Sequence, residues 1–219
     1  MSVSKNKLSW LVAYGDTVTL LICLLITIVV VLQGQSENDV EWLSDQIELI
    51  GIELGNEYEN SNIFSIEQRA GSVVVFLNSN SFAECKSEIL KDDLKTEISK
   101  LGGELLGYIR FLENINKPYF IEDSVYTEIV IEGHTDNKPL PPNSKICTHE
   151  NNWQLSSARA FETMNIITES LFKGSELYEY SKSISIRGYA DKKPLCIEDT
   201  PKCRSLNRRV EIIFTARLM

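Results

Sequence analysis

Glu132-Gly-His-Thr-Asp-Asn-Lys-Pro139 closes the run Val125-Tyr-Thr-Glu-Ile-Val-Ile-Glu132, which is rich in β-branched and aromatic residues. That composition is the signature of a strand. The glycine lets the chain turn at its end and the proline fixes its exit, so polar side chains are displayed at the edge of a sheet. Gly188-Tyr-Ala-Asp-Lys-Lys-Pro194 repeats the same grammar after a second short strand, Ser183 to Arg187.

Around these two loops the chain alternates between strands and helices. Phe64 to Leu77 reads as a strand or hairpin with Gly71 at its turn. Lys86 to Asn114 reads as a long helix that Gly102-Gly103 can break, Gln154 to Phe172 as an amphipathic helix, and Arg209 to Thr215 as a last strand. Strands separated by helices predict an α/β layered domain, an α+β sandwich with helices on one face of a mixed sheet. Its range is set at residues 63–219.

Ahead of this domain, Leu8 to Leu32 is apolar except for one carboxylate, Asp16. Twenty-five residues at 1.5 Å each cross a hydrocarbon core of about 30 Å. A signal peptide is the alternative, but the run ends in Leu32-Gln-Gly-Gln without a small-residue cleavage pattern. Lys5 and Lys7 precede the span and acidic residues follow it, which places residues 1–7 in the cytoplasm and the domain outside. Carboxylates in membrane spans are costly and mark ion paths. Asp16 is therefore the candidate ion carrier, with Thr17 beside it and Tyr14 at the cytoplasmic interface. A single span cannot enclose an ion path, so partner helices are required.

Residues 33–62 carry eight acids and no Lys or Arg, so most of the net charge of −9 is local. No basic footprint for nucleic acid exists. Within this stretch Val40, Leu43, Ile47, Ile50 and Leu54 step by 3, 4, 3, 4, a heptad seam that predicts a dimerising helix after a break at Gln33-Gly-Gln-Ser. A helix lying on its own domain or on the membrane is the alternative. Of five cysteines, Cys23 lies in the span. Cys85, Cys147, Cys196 and Cys203 lie in the exported part, where disulfides persist. Cys196 and Cys203 flank a short Pro-containing loop and are paired on that ground, leaving Cys85 with Cys147; four free thiols are the alternative.

No Cys/His spacing suits zinc, no nucleophile motif is present, and no two carboxylates form a glycosidase pair. The chain is not expected to be an enzyme or to hold a cofactor. His134 is read as a solvated loop residue, with a pH sensor as the alternative.

Glu132-Gly-His-Thr-Asp-Asn, Asn151-Asn-Trp-Gln-Leu-Ser-Ser-Ala-Arg159-Ala, Gly188-Tyr-Ala-Asp and Asn207-Arg-Arg-Val-Glu211 closely resemble the motifs of the OmpA-like peptidoglycan-binding domain. The Trp10-to-Asp16 span resembles the membrane helix of MotB-type stator subunits. The resemblance implies that Asp136 and Arg159 clasp the diaminopimelate moiety of a stem peptide, the carboxylate meeting its ammonium and the guanidinium its carboxylate. Thr135, Asn152, Leu155 and Asn207 match neighbouring family positions that shape the pocket. Arg208 and Arg209 are as well suited to structural ion pairs as to ligand contact.

The resemblance further implies a homodimer inside a ring, pentameric, of a multi-span MotA/ZorA-type subunit in the bacterial inner membrane. Asp16 would carry protons or sodium, and the periplasmic domain would anchor the complex to peptidoglycan. The short cytoplasmic tail, the short heptad-patterned connection and the exported cysteines resemble ZorB of the Zorya anti-phage defence system more than a flagellar stator. A flagellar MotB-like subunit and a non-conducting OmpA-like wall tether are the alternatives.

Overall fold

The computed structural model describes residues 5–78, 81–82, 85–88, 92–114, 125–141, 147–169 and 181–218. Helix α1 (Lys5–Glu57) leads into strands β1 (Phe64–Arg69) and β2 (Ser72–Leu77). Helix α2 (Asp92–Asn114), β3 (Val125–His134), α3 (Asn152–Glu169), β4 (Ile184–Gly188), the short α4 (Pro201–Asn207) and β5 (Arg209–Leu218) follow. The strands form one mixed sheet in the order β1-β2-β5-β3-β4, antiparallel except for the β3–β4 pair. Helices covering one face of a mixed sheet are the architecture the sequence predicts.

Side-chain alternation explains which face is covered. Phe64, Leu77 and Val210 align across the sheet, as do Val75, Ile212 and Ile131, and Val73, Phe214 and Ile129. All of these belong to one buried apolar cluster with the inner faces of α1, α2 and α3. The hairpin turns at Gly71, whose φ of +70° is the left-handed conformation that glycine adopts at no steric cost.

Two expectations about the front of the chain are corrected. The break at Gln33-Gly-Gln-Ser does not occur: α1 runs unbroken from Lys5 to Glu57, because one glycine costs a helix interior only about 1 kcal/mol, too little to stop a helix that the packing of Leu43 to Leu54 holds in place. The heptad seam does not face outward for a partner. Leu43, Ile47, Ile50 and Leu54 are buried in the domain's own core, and only Val40 of the five is exposed. The pattern is real, but β1, β2 and β5 form the surface it packs against. A 3–4 spacing reports an apolar stripe about one face of a helix and does not say whether a second helix or a sheet covers it. A core helix thus begins well inside the range 33–62 that reads as a connection.

The Gly102-Gly103 pair does not break α2. Gly102 instead lets α3 approach, since a Cβ there would come within 2.8 Å of Ile167. Toward the N-terminus, Trp10–Leu32 of α1 is long and apolar enough to cross a membrane and is not packed against the rest of the protein. Asp16 and Tyr14 are exposed on it. Thr17 donates its hydroxyl to the carbonyls of Ala13 and Tyr14 (3.2 and 2.8 Å), and Thr19 to those of Gly15 and Asp16 (both 2.9 Å), so both threonines are satisfied within their own helix.

Candidate functional site

The parallel pair β3–β4 delivers the two similar loops side by side at the carboxyl ends of its strands, where ligand sites in sheets with parallel pairs recur. They are bonded to each other. Thr135 N–H donates to the Ala190 carbonyl at 2.8 Å and Tyr189 N–H to that of Gly133 at 2.9 Å. The glycines that open the loops do not serve the turn that the sequence suggests. A Cβ on Gly133 would lie 1.9 Å from the Ser156 carbonyl oxygen, and one on Gly188 would lie 2.1 Å from Ser157 Oγ and 2.8 Å from its backbone nitrogen. They are glycine because the second turn of α3, at Ser156 and Ser157, rests directly on them.

That contact brings the start of α3 into the site. Asn151 caps the helix by accepting from Gln154 N–H at 3.0 Å. Asn152, one residue on, donates its amide to the carbonyls of Asp136 (3.2 Å) and Lys138 (2.9 Å) and so holds the first loop in shape. The third wall is α4, with Thr200 as N-cap and Pro201 in its first turn.

Between these walls lies a pocket of about 620 Å³ lined by Thr135, Asp136, Lys138, Asn152, Leu155 and Arg159, and by Phe82, Cys85, Pro201, Arg204 and Arg208 among others. Asp136 is buried, one oxygen accepting from Arg208 Nη1 at 2.7 Å and the other from the Lys138 amide at 3.1 Å. Arg159 is 4 % exposed, donates Nε to the Lys86 carbonyl at 3.0 Å, and lays its guanidinium 5.0 Å from the centre of the Phe82 ring. Burial, then the neighbouring Arg208, pushes its pKa down to about 10, with Asp136 opposing. It stays charged at neutral pH. A guanidinium and a carboxylate lining one pocket are the two charges that a zwitterionic group would complement.

Four residues expected at one site, Thr135, Asp136, Asn152 and Arg159, thus line one pocket. Asn207 does not. Its oxygen accepts from the amides of Leu195 and Cys196 (2.9 and 3.0 Å) and its nitrogen donates to the Cys196 carbonyl at 2.7 Å, so it fixes the loop behind α4. Cys196–Cys203 and Cys85–Cys147 are disulfide-bonded, and Cys23 is the free cysteine. The sequence reading missed Phe82, Lys86 and Arg204. The only signal for the first two was Cys85 between them, whose disulfide carries them to the site.

His134 is also corrected. It is the last residue of β3, 1 % exposed on the sheet face away from the helices, and stacks on Tyr189 with ring centres 5.6 Å apart. Its Nε2 lies 3.8 Å from Glu132 and 3.6 Å from Glu211, which sit opposite each other on β3 and β5. Burial and the cations Arg209, Lys193 and Arg69 hold its pKa down at about 3. The three residues bring possible ligand atoms within 4.8 Å of one another. Arg209 and Arg69 already compensate Glu211, and Lys193 and Arg187 already compensate Glu132, which leaves no charge deficit for a divalent cation to fill.

No protein-family model matches the chain. Motility protein B of Bacillus subtilis (strain 168) is 33 % identical over 132 residues, 60 % of this chain and 44 % of that protein. The uncharacterised YtxE of the same organism is 33 % identical over 91 residues, 42 % of this chain and 34 % of that one. The chain thus spans less than half the length of either. Among solved structures, a MotB-like protein from Desulfovibrio vulgaris superimposes with a TM-score of 0.62 at 15 % identity, over 80 % of this chain and 94 % of that one. The cell wall anchor of the T6SS from Pseudomonas aeruginosa gives 0.55 at 20 % identity, over 76 % and 97 %. The periplasmic domain of Helicobacter pylori MotB gives 0.50 at 20 %, over 69 % and 87 %. The fold is MotB-like. At these identities the structural likeness speaks for the MotB-like architecture, and the sequence match to Motility protein B points the same way.

Proposed function

We propose that this chain is the B-type subunit of an ion-driven stator in the bacterial inner membrane, with its N-terminus in the cytoplasm and its MotB-like domain bound to peptidoglycan. Asp16 is the carrier of protons or sodium, flanked by Tyr14 and Thr17. Asp136 and Arg159 hold a stem peptide, with Thr135 and Asn152 shaping the pocket. Two copies sit inside a ring of a multi-span MotA/ZorA-type partner.

The observation that carries this reading is one helix, α1, on which a membrane-length apolar stretch bearing a lone carboxylate runs on into the core of a domain whose pocket is lined by Asp136 and Arg159. A wall anchor needs the pocket and the span but not Asp16. Each elementary charge moved through 100 mV releases about 2.3 kcal/mol, which gives the carboxylate a purpose. Because the apolar seam of α1 is occupied by its own sheet, dimerisation falls to the span and to the outward residues Val40, Leu49 and Ile52.

The working role we assign is anti-phage defence of the Zorya type. The unbroken α1 supports it, since the domain is held at a set distance from the membrane and not on a flexible tether. Likeness to Motility protein B favours a flagellar stator instead, and likeness to a secretion-system wall anchor favours a tether without conduction. Asp16→Asn in cells carrying the multi-span partner separates these. It should abolish ion-driven function, scored as phage resistance and as swimming, while full-length protein still sediments with purified peptidoglycan. Full activity of the variant would remove the conduction hypothesis.

A further inference from the structure

Arg208 and Arg209 are consecutive, yet their side chains go to different places. Arg208 reaches Asp136 in the pocket at 2.7 Å. Arg209 stands opposite His134 in the β3–β5 register and is buried on the sheet face away from the helices, where its Nε donates to Glu211 Oε1 at 2.6 Å. Arg69 of β1 meets the other oxygen of Glu211 at 3.3 Å.

An ion pair alone does not account for an arginine here. The same guanidinium donates Nη1 to the Asn207 carbonyl at 3.3 Å and Nη2 to the Lys193 carbonyl at 3.2 Å. Asn207 ends α4, which supplies Pro201 and Arg204 to the pocket lining, with Arg208 next in sequence. Lys193 belongs to the second loop. Its own ammonium goes to Glu132 at 3.2 Å and lies 3.6 Å from the centre of the Tyr189 ring, and the Tyr189 N–H donates to the Gly133 carbonyl. One planar fork therefore fastens a strand, a helix end and a loop to each other. A lysine could neutralise Glu211 but could not also reach two carbonyls in fixed directions.

Accepting the wall-binding reading above, on which this rests, we infer that Arg209 is a positioning residue for the pocket: from behind the sheet it sets where the α4 wall stands relative to the second loop, and so holds Arg208 within reach of Asp136. Its action passes through the backbone carbonyls of Asn207 and Lys193, and the ligand is met by the pocket lining.

The test uses full-length protein in detergent, the tripeptide L-Ala-γ-D-Glu-meso-diaminopimelate as probe, and two variants made separately. Arg209→Lys keeps the charge and loses the fork; Glu211→Gln keeps an acceptor of the same shape and loosens the fork. Titration calorimetry should give a Kd about threefold or more weaker in each. Melting supplies the readout that a merely stabilising ion pair would not move. Arg208→Ala should lower Tm less in the Arg209→Lys background than in the parent, because the bridge to Asp136 is already loosened there. Unchanged Kd in variants that melt as folded proteins, or strictly additive losses of Tm, overturns the inference and leaves wall binding standing. Parent protein that melts normally yet binds no tripeptide overturns the reading on which the inference rests.

Discussion

Arg208 Nη1 donates to Asp136 Oδ2 at 2.7 Å, tying the residue just after α4 to the loop that ends β3 across the mouth of the pocket. The arginine is 38 % exposed and the aspartate 10 %, so the pair is partly screened. Arg208→Ala should cost about 1 kcal/mol, a fall in Tm of roughly 2–4 °C. Because it frees Asp136, the same variant should also change peptidoglycan affinity. A loss of stability with unchanged sedimentation on peptidoglycan would show that the bridge is purely structural.

Arg159 is placed by Phe82 and Lys86, which flank Cys85, and Cys85 is bonded to Cys147. Removing that disulfide as Cys85→Ser with Cys147→Ser should weaken wall binding through Arg159. In an Arg159→Lys background the same pair of substitutions should have a smaller effect, because Lys lacks the planar fork that this segment orients. Additive losses in the four-protein cycle would disprove the coupling. Serine at Cys196 and Cys203, which tie the opposite wall, provides the contrast.

Gly133→Ala should be among the most damaging single changes in the chain. The added methyl meets a backbone carbonyl at 1.9 Å, and a backbone clash cannot be relieved by rotating a side chain. A cost above about 4 kcal/mol is expected, visible as failure to accumulate folded protein. Gly55→Ala, where nothing lies within 4 Å of the added methyl, is the control and should be neutral or slightly stabilising.

His134 makes stability depend on acid. Its folded-state pKa is depressed to about 3 from an ordinary 6.5, so between those values the unfolded chain binds the proton and the folded chain does not. Its contribution is therefore complete above pH 6.5 and falls as the pH drops toward 3, by at most about 1.4 kcal/mol per pH unit. Melting transitions from pH 7 to 4.5 should flatten in His134→Asn relative to the parent. Parallel curves for the two proteins would count against the buried neutral imidazole.

The strands, the hairpin, the two loops and the Cys196–Cys203 pair were legible because each rests on local chemistry: β-branched runs, a positive-φ glycine, a proline, cysteines flanking one loop; Cys85–Cys147 followed only by elimination. What escaped was nonlocal. The heptad seam of α1 carried no information on whether Leu43 to Leu54 would meet a helix or a sheet, since both present an apolar surface. His134 looked like a loop residue because its burial comes from Glu211 on the neighbouring strand, beside Glu132 of its own strand, and from Tyr189, fifty-five positions away in sequence. Phe82 and Lys86 were invisible as site residues, for Arg159 finds them only in three dimensions. Asp136 and Arg159 were named from a motif resemblance; spacing alone would not have singled them out.

The seam of α1 has its own consequence. Leu54→Ala or Ile47→Ala should destabilise the domain by about 2–5 kcal/mol, since both side chains are buried in the core. Leu49→Ser on the outward side should leave Tm nearly unchanged. A pure loss of dimer with an intact domain in the Leu54 variant would restore the coiled-coil reading.

Continuity of α1 also fixes an angle. Asp16 and Leu43 lie on one uninterrupted helix, about 7.5 ideal turns apart, so the compass direction of the carboxylate in the membrane and that of the pocket outside it are phased to each other. Inserting or deleting one residue between Leu32 and Leu43 would swing one against the other by about 100° while moving them only about 1.5 Å closer or farther. Seven residues, two turns less about 20°, would nearly restore the original bearing. Periodic loss and recovery of function along such a series would reveal α1 as a shaft and not a leash.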